Sequence, residues 1–145
     1  MPLGIKQTVP FLTVADTDAS LRFYLDGLGF SIVHEWRPRG RIEWCMIRRD
    51  EGFLMMQEPA PDYTGTLPEP RGQGVVVIFL CEDALVLYHE ARERNIPVSE
   101  PFVGNNLWVV SFTDPDGYRI DFESETDVPE ETTYTEWLAS RNSTL

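Results

Sequence analysis

Near the C-terminal end of the chain, Arg119, Asp121 and Glu123 alternate with the apolar residues Tyr118, Ile120 and Phe122. In a β-strand, residues i, i+2 and i+4 share a face, so three charges line up on one side and the apolar residues on the other. A carboxylate on such a face has three chemical uses when it looks into a pocket: metal ligand, general base, or hook for a cation. Burying it unpaired is costly, so Asp121 needs a hydrogen-bond donor, a raised pKa or a cationic ligand group. Arg119 is the nearest donor in sequence. The competing reading is a purely structural Asp121–Arg119 pair.

Other reactive groups are sparse. His34 falls in a strand-like stretch and His89 on a helical face beside Glu90 and Arg92; neither shares a short motif with a second ligand type. Cys45 and Cys81 sit in apolar strand patterns, where thiols behave as small hydrophobes, and they suggest neither a disulfide scaffold nor a metal motif. Twelve Lys and Arg against 24 Asp and Glu leave a net charge of −12, which repels phosphate backbones and favours cationic small molecules over nucleic acid. The longest apolar run, residues 75–81, is too short to span a bilayer, and the opening MPLGIKQTVP lacks the apolar stretch of a secretory signal. A soluble, cytoplasmic protein with no membrane partner is expected.

The elements that position these residues are duplicated. TVPFLTVAD (8–16) parallels VVVIFLCED (75–83): a β-rich run, then an acidic residue where a helix starts. Leu21, Tyr24, Leu25 and Leu28 follow i, i+3, i+4, i+7 spacing, as do Ala84, Leu87, Tyr88 and Ala91, so each half has one amphipathic helix, stopped by Gly29 and Asn95. The stretches 44–58 and 108–123 are hairpins around Asp-Glu-Gly and Asp-Pro-Asp-Gly turns, with Gly52 aligned on Gly117 and one extra residue in the second turn. A strand over 30–36 and a shorter one near Val98 complete two β-α-β-β-β modules. Module one covers about 5–58, a proline-rich linker 59–73, module two about 74–124, and an extension 125–145, all expected as a single domain. In the extension, Thr133 and Glu136 form a capping box for a short helix whose Tyr134, Trp137 and Leu138 need a surface to cover.

The segments FLTVADTDASLRFYLDGLGF (11–30) and FTDPDGYRIDFES (112–124), on this duplicated plan, resemble the vicinal oxygen chelate superfamily of glyoxalases, extradiol dioxygenases and bleomycin-resistance proteins. The resemblance implies an α+β fold in which both modules build a curled mixed sheet around a trough, followed by the C-terminal helix. It also implies a homodimer. Metal-dependent members of the superfamily hold the ion with one residue from the first and last strand of each half, and the duplication puts Val9, Met56, Val76 and Asp121 there. Val has no donor atom and a Met thioether prefers soft metals, so no metal and no other cofactor is expected.

On the same basis the ligand-binding residues are Val9, Phe11, Met56, Val76, Ile78, Arg119 and Asp121, with Trp44 and Trp108 as stacking surfaces for a planar group. The expected function is metal-free binding or sequestration of a small molecule, cationic and aromatic in character. The alternatives are a divergent metal-dependent lyase, isomerase or dioxygenase, a metal-free enzyme with Asp121 as the catalytic base, and a dimeric scaffold without catalysis.

Overall fold

The structure is a computed structural model that describes residues 1–143, which fall into two compact units, the first Met1–Thr66 and the second beginning at Leu67. In the first unit, strand β1 (Phe11–Thr13) leads to helix α1 (Thr17–Leu21), which continues as a π-helical stretch, Arg22–Gly27. Strands β2 (Ser31–Trp36), β3 (Trp44–Arg49) and β4 (Gly52–Gln57) follow. The sheet order is β1-β4-β3-β2, with β1 parallel to β4 and the other pairs antiparallel.

The second unit repeats the plan. Strand β5 (Val76–Leu80), helix α2 (Ala84–Glu93), and strands β6 (Phe102–Gly104), β7 (Leu107–Thr113) and β8 (Arg119–Glu125) give the order β5-β8-β7-β6. Helix α3 (Tyr134–Asn142) closes the described chain. The fold is therefore α+β, with two four-stranded mixed sheets. The expected short strand near Val98 begins later, at Phe102. The boundary between the units falls inside the expected linker, so residues 67–73 belong with the second unit. Arg71 explains that placement: its side chain is buried against Asp116 in the β7–β8 turn, and Gly72 lies so close to the Tyr118 ring that an added Cβ would meet it at 2.6 Å.

Each helix covers one face of its sheet. In α2 the buried residues are Ala84, Leu87, Tyr88 and Ala91, the stripe that the spacing predicts. In the first unit Tyr24 and Leu28 are fully buried while Leu21 and Leu25 are half-exposed, because the chain widens after α1, with the Leu28 amide donating to the Phe23 carbonyl five residues back. Asp16 and Asp83 cap the two helices through their carboxylates. A second tie recurs: the Thr17 amide donates to Glu58 at 2.8 Å and the Ala84 amide to the Ser124 hydroxyl at 2.9 Å. Glu58 also accepts two N–H groups of Arg41, which with the Thr17 bond lowers its pKa to about 2.

The C-terminal extension docks on the second unit. Residues 130–133 run beside β6, with Val103 donating to the Thr132 carbonyl and accepting from the Glu131 amide, so the outer edge of that sheet is covered. Thr133 caps α3 by accepting from the Glu136 amide. Tyr134 and Trp137 then pack edge-on against Trp108, with ring centroids 6.3 Å and 5.4 Å away, and Tyr134 also meets Tyr88 at 5.0 Å. Truncating a buried Trp typically costs about 3–5 kcal/mol. Trp108→Ala should lower the stability of the protein by that amount in urea unfolding, whereas a loss under 1 kcal/mol would mean that α3 is not held by this ring cluster.

Candidate ligand-binding face

The side of each sheet away from its helix is set by strand alternation. In the second unit, Arg119 lies between Val76 and Thr113, Asp121 between Ile78 and Ser111, and Glu123 between Leu80 and Val109. Ile120, Phe122 and Ser124 point the other way and are buried. The charged row therefore shares its face with exposed Val76, Ile78 and Leu80. In the first unit the corresponding face carries Phe11, Met55, Met46 and His34 in one row across the strands, and Thr13, Gln57, Trp44 and Trp36 in the next.

Two of the residues expected on this face lie on the other side. Met56 is fully buried, paired with Leu12 and Cys45, and Trp108 is buried in the aromatic cluster under α3. The physical reason is that the two turn glycines are not equivalent: Gly52 pairs with Arg49 in the ladder whereas Gly117 lies inside its turn, so aligning them shifts both strands by one residue. The pair Arg48–Phe53 encloses four residues and the equivalent pair Thr113–Arg119 encloses five, and the Asp114 carboxylate accepts both the Asp116 and Tyr118 amides to shape the longer turn. Gly52 therefore corresponds to Tyr118, not Gly117. A one-residue slip moves every side chain to the opposite face, so the counterpart of Asp121 is Met55, and that of Trp44 is Val109. Val9 precedes β1 and is half-buried, while Phe11, Val76, Ile78 and Trp44 stand on the open faces as expected.

Asp121 is almost completely buried and is committed to Arg119, whose Nε and Nη2 donate to its two oxygens, each at 3.0 Å; Nη2 also reaches the Ser111 hydroxyl at 3.3 Å. The bond to Asp121 raises the pKa of Arg119 further. Glu123 is different. Its half-buried carboxylate forms no hydrogen bond or ion pair among the described residues. Burial raises its pKa, the Asp121 charge adds to that, and Arg119 opposes it. Sequence reasoning placed Glu123 on this face but passed over it, because alternation says which face a side chain takes and not which of two carboxylates has a partner.

Glu123 lines an open cleft of about 920 Å³ in the second unit, together with Leu80, Leu107, Glu82, Glu125 and Asn106. Cys81 and Thr126 also reach it. The titratable and charged groups facing Glu123 are thus Arg119, Asp121 and Glu125 on its own strand, with Cys81 and Glu82 beyond β5. This acidity is local: residues from 67 onward have fifteen Asp and Glu against five Lys and Arg, and so hold most of the net negative charge. His34 is exposed, and His89 lies 3.3 Å from the Tyr134 hydroxyl, away from the cleft. Burial pushes the Cys45 thiol up to about 11.

A duplicated β-α-β-β-β fold, with helices on one face of each sheet and the other face open, defines a class, and the sequence agrees with it. Residues 4–122 match the model of the Glyoxalase/Bleomycin resistance protein/Dioxygenase superfamily, and the chain belongs to that superfamily. Solved structures share the fold. The bleomycin resistance determinant encoded on the transposon Tn5 superposes with a TM-score of 0.65 at 20% identity, over 83% of this chain and 98% of that one. The bleomycin-binding protein of Streptomyces verticillus, complexed with copper(II)-bleomycin, gives 0.65 at 18% identity, over 87% and 100%. TnmS3, an antibiotic binding protein from a Streptomyces species, gives 0.65 at 17%, over 86% and 100%. No curated protein matches the sequence.

The residues at the superfamily's metal positions do not fit a divalent ion. Val9 and Val76 have no donor atom, the third place is a methionine whether counted as Met56 or Met55, and both oxygens of Asp121 are engaged by Arg119. Nor do three or more His, Cys, Asp or Glu side chains gather to hold a metal elsewhere among the described residues. Asp121→Asn leaves one of the two Arg119 donors facing an amide and should cost about 1–3 kcal/mol of stability in urea unfolding. Unchanged stability would show that the pair contributes nothing to the fold.

Proposed function

We propose that the protein binds a small cationic organic molecule without a metal ion, on the open face of its second unit, with Glu123 as the anchor. The observation that carries this reading is the contrast between the two carboxylates. Asp121 is spent on Arg119, while Glu123, two residues on, looks into an open cleft without a partner. Leu80 and Leu107 supply apolar walls, and Glu82 and Glu125 add to the negative potential that draws a cation in. On the first unit, Trp36 and Trp44 form a stacking surface of their own for planar groups.

The antibiotic-binding character of similar proteins agrees with sequestration rather than turnover. In the second unit Val76, Ile78 and Leu80 form an exposed apolar row along β5 on the open face, and the need to cover it supports a homodimer.

Two measurements test this. Protein purified without chelators should contain no stoichiometric transition metal, and about one Zn, Fe, Mn or Ni per chain by elemental analysis would overturn the metal-free reading. Calorimetric titration with 4-methylbenzylamine should show binding at pH 7 that Glu123→Gln weakens by about tenfold or more. The amine binds the anionic form of Glu123, and that form is lost as pH falls through its raised pKa. Wild-type affinity should therefore decline already above pH 4.5, the ordinary carboxyl value, and the variant should lack that early decline. Equal affinity for wild type and variant would remove Glu123 from the site.

A further inference from the structure

Arg119 keeps one nitrogen in reserve. Its Nε and Nη2 are used by Asp121 and Ser111, whereas Nη1 has no hydrogen-bond partner among the described residues, on a side chain that is 51% exposed. A guanidinium held along its Nε–Nη2 edge by a buried carboxylate is fixed in orientation before any ligand arrives, which reduces the cost of ordering it. On either side stand exposed Val76 and Thr113, an apolar wall and a free-standing hydroxyl.

Resting on the reading of Glu123 as a cation anchor, we propose that Arg119 Nη1 is the other half of the same site, so that the ligand is an amphoteric amine that also bears a carboxylate. The charge pattern selects this class over its simpler relatives. The charge of Arg119 is already offset by Asp121, and Glu123 stands on the same face, so an anion by itself gains little from the guanidinium and is repelled by the rest of the cleft. An amine by itself leaves the Nη1 donors to water. A molecule that delivers an ammonium to Glu123 and a carboxylate to Arg119 satisfies both. Arg119 and Glu123 are four residues apart on one strand face, about 13 Å between their Cα atoms, and the Arg119 side chain leans toward Asp121, which shortens the span a spacer must bridge.

Asp121 is then a positioning residue that acts through Arg119, which accounts for a buried carboxylate in the middle of a binding face that touches no ligand itself.

The test uses three probes that share one ring: 4-(aminomethyl)benzoate, 4-methylbenzylamine and 4-methylbenzoate, titrated calorimetrically at pH 7. Wild type should bind the amphoteric probe at least about tenfold more tightly than the amine, with the benzoate weakest of the three. Two double variants remove the Nη1 donors, Arg119→Met with Asp121→Leu and Arg119→Leu with Asp121→Asn, each taking away the charge of the buried carboxylate together with its partner. Both should abolish the advantage of the amphoteric probe over 4-methylbenzylamine, read as the ratio of the two affinities within each variant. An advantage that persists in either variant, in protein that is folded at the titration temperature, overturns the inference. Binding of 4-methylbenzylamine to wild type with no gain from the added carboxylate also overturns it but leaves the role of Glu123 standing; no binding by any of the three probes overturns both.

Discussion

The bond between the end of each module's last strand and the first amide of its helix determines which side chains are available for binding. Glu58 accepts from Thr17 and Ser124 accepts from Ala84, so each of these residues must lie on the helix side of its sheet. Because strand residues alternate, that one requirement assigns every residue of β4 and β8 to a face: Leu54 and Met56 inward with Glu58, Ile120 and Phe122 inward with Ser124. A helix N-terminus that lost this partner would leave a buried amide unsatisfied, at a cost of about 1–3 kcal/mol. The open face is what remains after this bond and the apolar core have taken their residues.

The same constraint explains how far the sequence could be read. The duplicated plan, the α2 stripe, the capping residues Asp16, Asp83 and Thr133 and the hairpin positions follow from periodicity and turn chemistry, which are local properties. Strand parity across a turn is not local in that sense. Aligning the glycines of the two turns is reasonable by residue type, yet Gly52 takes part in the ladder as the partner of Arg49, whereas Gly117 sits within the turn at φ +94°. Treating the two glycines as equivalent shifted both strands of the second hairpin by one residue and sent Met56 and Trp108 to the wrong face. The helix tie was the missing signal, and a carboxylate matched with a hydroxyl, Glu58 with Ser124, is hard to recognise from residue type alone.

Charge burial accounts for the second unit's other features. It holds two buried acidic residues close to arginines, Asp121 with Arg119 and Asp116 with Arg71, and these pairs differ in consequence. Arg71 is itself buried, so both charges of that pair are withdrawn from water and its task is to seat residues 69–72 against the β7–β8 turn. A pair of this kind is weak evidence of net stability but a strong constraint on geometry, since removing one partner strands the other. Arg119 stays half-exposed, so its pair with Asp121 joins a fixed inner end to a reactive outer one.

Compared position by position, the modules agree on one face and differ on the other. On the covered faces, Leu54 corresponds to Ile120, Met56 to Phe122 and Cys45 to Val110, apolar for apolar, as packing against a helix demands. On the open faces the correspondences are Phe53 with Arg119, Met55 with Asp121 and Gln57 with Glu123, so an aromatic and sulfur-rich surface in one unit answers to a charged one in the other. Packing requires nothing of these open positions, and a merely solvated face would tolerate small polar residues at them. The open faces therefore differ by more than packing or solvation asks, one aromatic and sulfur-rich and the other charged.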